Sequence, residues 1–150
     1  MEKSVDIGLK RELAEAFGLP DMEPETYSSL ALAYIGDGVY DLVIRTLILS
    51  EGNLPVKELH HKTSSLVQAS AQSRMMRGLQ ELLTEEEHGV YRRGRNTRMV
   101  SPAKNQSLTD YRRATGFEAL IGWLYLRDDW GRILELVRTG LEFLEQGGKQ

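Results

Sequence analysis

Apolar residues recur at intervals of three and four along almost the whole chain, which is the spacing of one face of an α-helix. No segment shows the alternation of apolar and polar residues that is typical of a β-strand. This pattern and the flanking start and stop signals predict helices over 8–17, from Ser28 to Leu49, from Pro55 to about 83, from Thr84 onward, over 109–126 and over 128–146. The predicted class is therefore all-α, a helical bundle.

Local signals refine these helices. Ser28 is a predicted N-cap, and Thr84 followed by Glu87 forms the reciprocal capping pattern. Gly78 is a possible break, and "PDMEPE" (20–25) is a predicted connection. Segment 109–126 is almost wholly apolar after Arg113 and should lie at the centre of the fold. The last helix is amphipathic, and its predicted apolar face comprises Ile133, Leu134, Val137, Leu141 and Leu144. Three further apolar residues are predicted to lie in the core or a subunit contact: Met75, Met76 and Leu79.

Length and composition exclude several kinds of protein and functional site. A chain of 150 residues is long enough for one domain with a substantial core. It contains no cysteine, which excludes disulfides, thiolate metal sites and thiol nucleophiles. No run approaches the ~18 apolar residues of a membrane helix, and the charged N-terminus does not resemble a signal peptide. We expect a soluble cytoplasmic protein.

Charge is distributed unevenly, although the net charge is only −3. Residues 92–113 carry seven basic side chains against one acid, so this segment is +6 and the remainder is −9. Arginine matches phosphate oxygens well, and the interspersed glycine, serine and proline are typical of a loop. The pattern predicts an anion-binding loop. An ordinary solvated surface loop remains the alternative.

Two acids stand in apolar stretches of the predicted central helices, Asp37 within "YIGDGVY" and Glu118 within "GFEALIG". An ionised carboxylate in such surroundings needs a cation, hydrogen-bond donors or water. Three interpretations stay open: a buried ion pair with an arginine such as Arg45 or Arg113, exposure at a groove, or a divalent metal such as Mg²⁺. Three glycines near the acids indicate that the two helices approach closely: Gly36, Gly38 and Gly122.

The segments "YIGDGVYDLVIR" and "FEALIGWLYL" resemble the catalytic domain of the ribonuclease III family. With "LHHKTSSLVQASAQ" and "RRGRN" they resemble, in the same order, its small bacterial branch, Mini-ribonuclease III, which has no separate double-stranded RNA-binding domain. The similarity covers 29–126. It implies a catalytic domain over 26–147, whereas 1–25 would be an N-terminal extension whose short helix is part of the domain or packed on it.

The resemblance implies an Mg²⁺-dependent endoribonuclease acting on double-stranded RNA. The family's invariant acids fall on Asp37 and Glu118, which would hold the metal and be catalytic. Three other acids of the larger enzymes are absent, at Leu30, Ala33 and Thr115. The Mini branch shows the same departures, so one Mg²⁺ per subunit is the expectation rather than a full two-metal site.

Roles for further residues are also implied. RNA contacts are expected from Arg92, Arg93, Arg95, Asn96, Arg98, Lys104, Asn105 and Gln106. Asp41 would support metal-bound water or pair with the basic segment. Thr115 would contribute a hydroxyl to ligated water or bond back to its own helix. His60 and His61 are expected on the helix surface near RNA.

By the same resemblance the protein would be a homodimer that cuts each strand once, with the apolar helix of Asp37 and part of "LYL" as contact surfaces. Its substrate would be precursors of large-subunit (23S) ribosomal RNA, and its products would carry a short 3′ overhang and 5′ phosphates. Two other functions remain open: an inactive RNA-binding or ribosome-associated module of this fold, and a helical protein that binds only protein.

Overall fold

The computed structural model describes residues 8–97 and 107–147, and in these ranges the regular structure is helical throughout. The predicted all-α class is confirmed. A 3₁₀ turn at Pro24–Thr26 interrupts the connection between the first two helices. The helices are α1 (Leu9–Phe17), α2 (Ser29–Leu49), α3 (Val56–Val67), α4 (Ala69–Leu79), α5 (Glu85–Arg95), α6 (Leu108–Leu126) and α7 (Trp130–Glu145).

Helix α6 forms the centre of the fold, as predicted. Ser107 caps it by accepting a hydrogen bond from the backbone N–H of Asp110 at 2.9 Å. From Ala114 to Leu126 every residue is buried except Glu118, which is partly exposed. Helices α2, α4, α5 and α7 all pack against α6. Glu118 is therefore the one acidic residue in this buried stretch, where an ionised group needs a partner.

Helices α2 and α6 cross at a pair of glycines. A Cβ atom on Gly36 would collide with the carbonyl oxygen of Glu118 and would lie 2.7 Å from the backbone nitrogen of Gly122. A Cβ atom on Gly122 would in turn collide with the carbonyl oxygen of Leu32. The two backbones are in direct contact, which confirms the predicted close approach. Gly38 does not share this role, since nothing lies within 4 Å of the position of its Cβ.

The helical stretch after Pro55 is broken, but not at Gly78, the position considered from the sequence. The chain leaves helical geometry at Gln68, whose φ and ψ of −68° and 157° end α3 and begin α4. Gly78 instead lies inside α4, where the absence of a side chain makes room for the ring of Phe143 on α7. A helical glycine therefore marks a helix crossing here and not a helix end.

The predicted apolar face of α7 is right except at one position. Ile133 and Val137 are buried, and Leu141 and Leu144 pack against the core, but Leu134 is 49% exposed. Leu136 is fully buried in its place. The three methionine and leucine residues of α4 that were predicted to be core or subunit contacts are core residues: Met75, Met76 and Leu79.

The basic segment is not a single loop, because both of its ends are helical. Arg92, Arg93 and Arg95 form the last turn of α5, and Arg112 and Arg113 belong to α6. Cations in a final helical turn are stabilised by the negative end of the helix dipole, so the three arginines suit this position. The predicted contacts at Arg98, Lys104, Asn105 and Gln106 lie outside the described residues.

An ion pair between Glu87 and Arg132 joins α5 to α7. The Arg132 guanidinium donates to both carboxylate oxygens of Glu87 at 2.8 and 2.9 Å, and to the carbonyl of Leu82 at 2.8 Å. Glu87 also completes the predicted capping box with Thr84. Burial alone would raise the pKa of Glu87, but the hydrogen bonds from Arg132 and Thr84 outweigh it and lower the pKa. This pair fixes the orientation of α5 and thus of its terminal arginines.

The N-terminal helix packs on the domain. Lys10 donates to the carbonyl of Leu126 at 2.8 Å and pairs with Asp128 at 3.4 Å, so α1 is tied to the end of α6. None of the helices in the two described ranges combines the length and the apolar character that crossing a membrane requires.

Candidate active site

The crossing of α2 and α6 brings the two predicted acids together. Asp37 follows Gly36, the residue of α2 that contacts the backbone of Glu118, so both carboxyl groups leave their helices at the same point. They are close enough for the carboxyl groups to hydrogen-bond to each other. Asp37 is exposed and Glu118 is partly buried. The prediction of apolar surroundings is therefore right for Glu118 and wrong for Asp37, which faces solvent.

The electrostatics of this pair are unfavourable when no cation is present. Burial raises the pKa of Glu118 to about 8, and the negative charge of Asp37 beside it acts in the same direction. A hydrogen bond from Gln72 opposes both effects. Like charges this close repel, which disfavours the ionised form of the buried Glu118. The site is thus one that a cation would stabilise.

No arginine of the described residues pairs with either carboxylate. Among residues 8–97 and 107–147, neither carboxylate forms an ion pair. Arg45, one of the two partners considered, binds Asp41 at 2.7 Å instead, one turn away on the same helix. A buried ion pair with Arg45 or Arg113 is therefore not formed. A groove site and a metal site remain, and the exposure of Asp37 is compatible with both.

Gln72 is a functional candidate that sequence reasoning missed. Its side-chain nitrogen donates to Glu118 Oε2 at 3.0 Å and to the carbonyl of Val67 at 2.9 Å. The residue is 1% exposed. The signal was present in the pattern, because Gln72, Met75, Met76 and Leu79 occupy one helical face in which only the first is polar.

Tyr40 fixes the segment that holds Gln72. Its ring packs edge-on against Phe117 with 5.2 Å between centroids, and its hydroxyl donates to the carbonyl of Leu66 at 2.8 Å. Burial, and the nearby charge of Glu118, raise the pKa of Tyr40 well above its usual range. The tyrosine is therefore a neutral donor that anchors the end of α3, next to the Val67 carbonyl that Gln72 uses.

Two supporting residues have structural partners. Asp41 pairs with Arg45 at 2.7 Å, and within the described residues it forms no ion pair with the basic segment. The Thr115 hydroxyl donates to the carbonyl of Tyr111 at 3.0 Å, so the alternative of bonding back to its helix is confirmed. His60 and His61 are exposed on α3, as predicted.

The last turn of α5 lies directly beside the segment of α6 that carries Glu118. A Cβ atom on Gly94 would lie 2.9 Å from both Gly116 and Ala119, the neighbours of that acid in the helix. Arg92 and Arg93 in this turn are exposed. Arg95 donates to Asn96 Oδ1 at 3.2 Å. The turn of α5 that carries three of the predicted anion-binding arginines therefore packs against the segment of α6 that carries Glu118, although the arginines are helical.

The arrangement combines a paired carboxylate site with nearby exposed cations. Carboxylate oxygens are the ligands that Mg²⁺ prefers, and Mg²⁺ commonly uses only one or two of them because it retains water. In the described part of the chain no group of three or more His, Cys, Asp or Glu residues could hold a metal. The candidate centre therefore consists of two carboxylates, and the arginines beside it suit an anionic polymer.

Comparisons with known proteins give a consistent result. The sequence model of the Ribonuclease III domain matches residues 30–129. The chain is 44% identical over 138 residues to Mini-ribonuclease 3 of Clostridium tetani, covering 91% of this chain and 90% of the relative. It is 40% identical over 147 residues to Mini-ribonuclease 3 of a Thermoanaerobacter species, covering 97% and 100%. A crystal structure of a Fusobacterium nucleatum protein superposes with a TM-score of 0.70 at 29% identity, covering 75% of this chain and 91% of that one.

Proposed function

The chain belongs to the ribonuclease III family, and we propose that it cleaves double-stranded RNA with Mg²⁺ held by Asp37 and Glu118. Family membership makes it an endoribonuclease. The observation that supports the metal assignment is the meeting of two carboxyl groups where α2 crosses α6, with neither of them paired to an arginine of the described residues. A divalent cation held between them would remove the repulsion of the two carboxylates.

Each residue of the site has a distinct part in this proposal. Magnesium bound there would supply the Lewis acidity that activates water for attack on a phosphodiester. Asp37 is exposed, so a phosphate can approach the pair from its side. Gln72 donates a hydrogen bond to Glu118 from the buried side, which restricts the positions of the carboxylate oxygens.

Removal of the divalent ion with EDTA should therefore stop cleavage, and restoring Mg²⁺ should restart it.

The exposed arginines of α5 would bind the RNA backbone. Duplex RNA is recognised chiefly through its shape, its phosphates and its 2′-hydroxyl groups, so affinity should depend strongly on salt and only weakly on sequence. Arg92, Arg93 and Arg95 supply positive charge in the last turn of α5, and Asn96 supplies an amide beside them.

Replacing Arg92 and Arg93 together with alanine should weaken duplex binding. Each lost phosphate contact lowers the slope of log affinity against log salt by about 1, so the double variant should lose up to about 2. Fluorescence anisotropy over a salt series measures this slope. Arg138→Ala is the matched control, since Arg138 is an exposed arginine on α7. Equal slopes for the wild type and the double variant would exclude these arginines from the RNA interface.

An apolar surface beside the active-site helix supports a homodimer. Tyr34 on α2 is 82% exposed, and Leu30 one turn before it is also exposed. They adjoin a pocket of about 390 Å³ that is lined mainly by apolar side chains, among them Leu13, Leu19, Tyr27, Ile35, Tyr125 and Leu126. A second copy would bury this surface, and its two-fold axis would supply one acid pair for each RNA strand.

Tyr34→Asp should therefore weaken the dimer by at least about tenfold, because it places a charge on a surface that association would desolvate. Sedimentation velocity over a concentration series measures the change. Leu134→Asp is the control, since Leu134 is an exposed apolar residue on α7. If Tyr34→Asp leaves the dimer constant unchanged, the dimer does not use this face.

The cellular substrate is proposed from resemblance alone. Similarity to the Mini branch points to precursors of large-subunit (23S) ribosomal RNA and to a cytoplasmic location. The structure adds only that the candidate site is open to solvent on its Asp37 side.

An inactive RNA-binding module is the second candidate function. It is favoured by the residues at the positions of the missing family acids, Leu30, Ala33 and Thr115. The cleavage assay separates the two functions, because a module would bind duplex RNA in a salt-dependent manner and leave it intact with any divalent ion.

A further inference from the structure

We propose that Gln72 is a positioning residue for the metal site, which sets the orientation of Glu118 and thereby the affinity for Mg²⁺. The inference rests on the proposed function and deepens it. Gln72 does not face the substrate, since it is almost completely buried behind the acid. Its influence must therefore pass through the carboxylate that it contacts.

The orientation of the Gln72 amide is determined by its neighbours. The backbone carbonyl of Val67 can only accept a hydrogen bond, so the side-chain nitrogen must face it. The same nitrogen then directs its second hydrogen to Glu118 Oε2. A reversed amide would place two acceptors against each other at both contacts. Gln72 is thus a fixed donor to one oxygen of Glu118, the kind of hydrogen bond that orients a metal-binding side chain.

This donor also restricts the geometry of Glu118. One oxygen is engaged by Gln72 on the buried side, which leaves the remaining lone pairs of the carboxylate for the side of Asp37. Metal sites depend on such restraint, because a ligand that rotates freely loses entropy when it binds the ion. The anchor itself is rigid, since α3 ends at Val67 and the Tyr40 hydroxyl holds the adjacent Leu66 carbonyl at 2.8 Å.

The other end of the amide shows that stability alone does not explain this residue. Gln72 Oε1 is buried and has no hydrogen-bond partner in the described structure. A buried acceptor without a partner is unfavourable, and an apolar side chain of similar shape would avoid that loss. Apolar residues fill the same face of α4 at Met75, Met76 and Leu79. Glutamine therefore occupies a position on an otherwise apolar face, and the contact with Glu118 is what distinguishes it.

The test uses Gln72→Met in the full chain, because methionine is unbranched and of similar length but has no N–H donor. We expect the Mg²⁺ concentration for half-maximal cleavage to rise on the order of tenfold, as for other residues that support metal ligands. Titration calorimetry with Mg²⁺ alone should show the same weakening without RNA. Binding of duplex RNA in EDTA should stay within about twofold of wild type.

Two further variants keep the result interpretable. Ser73→Ala changes the next residue of α4, which is also buried but does not contact Glu118, and it should leave Mg²⁺ affinity unchanged. Gln72→Leu repeats the test if the methionine variant does not fold. Unchanged Mg²⁺ affinity in a folded Gln72 variant, or an equal loss in Ser73→Ala, would overturn the inference while wild-type cleavage stands. Absence of Mg²⁺-dependent cleavage in the wild type would instead overturn the proposed function and this inference with it.

Discussion

Asp37→Asn should reduce cleavage of duplex RNA by about a thousandfold or more, which corresponds to about 4 kcal/mol of transition-state stabilisation. Asparagine preserves the size of the side chain but removes the charge that would hold the cation at the exposed end of the site. Binding should persist, because the arginines of α5 are untouched. Single-turnover cleavage of a long duplex with saturating Mg²⁺ measures the first effect, and anisotropy in EDTA measures the second.

Asp41→Asn is the matched control for this experiment. It makes the same substitution one turn later on the same helix, at a carboxylate that pairs with Arg45 and does not contact Glu118. Its cleavage rate should stay within a few-fold of wild type. A cleavage rate for Asp37→Asn as high as that of Asp41→Asn would show that Asp37 is not a catalytic ligand.

Gly36→Ala should be the most destabilising small substitution in α2, lowering the free energy of unfolding by about 3 kcal/mol or preventing folding. The added Cβ would meet the backbone of Glu118 and the nitrogen of Gly122 at 2.7 Å, and backbone cannot rotate away as a side chain can. The helices would have to separate, and the acids on each side of the contact would separate with them. Urea unfolding followed by circular dichroism measures the loss.

Gly38→Ala, in the same helix, should have the opposite effect on stability. Open space surrounds its Cβ position, so alanine should stabilise the helix by about 0.5–1 kcal/mol. Equal effects of the two substitutions would mean that α2 and α6 do not cross at Gly36.

The helices were largely predictable because their signals are local. Ser28 and Thr84 cap the helices they were expected to begin, and the apolar run after Arg113 is the central helix. The failures concern tertiary context. Gly78 is a possible break by its sequence, yet its missing side chain accommodates Phe143 from a helix more than sixty residues away in the chain. The actual boundary between α3 and α4 lies at Gln68, where the sequence has no glycine or proline to indicate a helix end.

The candidate site was partly predictable, since two acids in apolar stretches are visible in the sequence. Their meeting was indicated by Gly36 and Gly122, which the structure places in contact. The exposure of Asp37 could not be predicted from the sequence. The apolar residues of α2 extend around most of its surface, so the pattern does not show whether a given residue faces α6 or solvent. Gln72 was overlooked because a single glutamine among small residues has no motif of its own, and its partner is 46 residues distant in sequence.

The basic segment shows a similar limit. Its composition indicated a loop, but Arg92, Arg93 and Arg95 continue the helix that the Thr84 capping box begins. Basic residues in the last turn of a helix have the same sequence pattern as basic residues in a loop, and only the extent of the preceding helix distinguishes them. The proposed binding of RNA phosphates by these arginines is the same whether they lie in a loop or at a helix end.

The central claim is that Asp37 and Glu118 together hold a divalent ion. The most direct measurement is anomalous diffraction from crystals soaked with Mn²⁺ as a stand-in for Mg²⁺. The account predicts one strong peak at about 2.0–2.2 Å from an oxygen of each carboxylate, with Gln72 still bound to Glu118. Carboxylates that point away from each other, or that are neutralised by guanidinium groups with no peak between them, would contradict it.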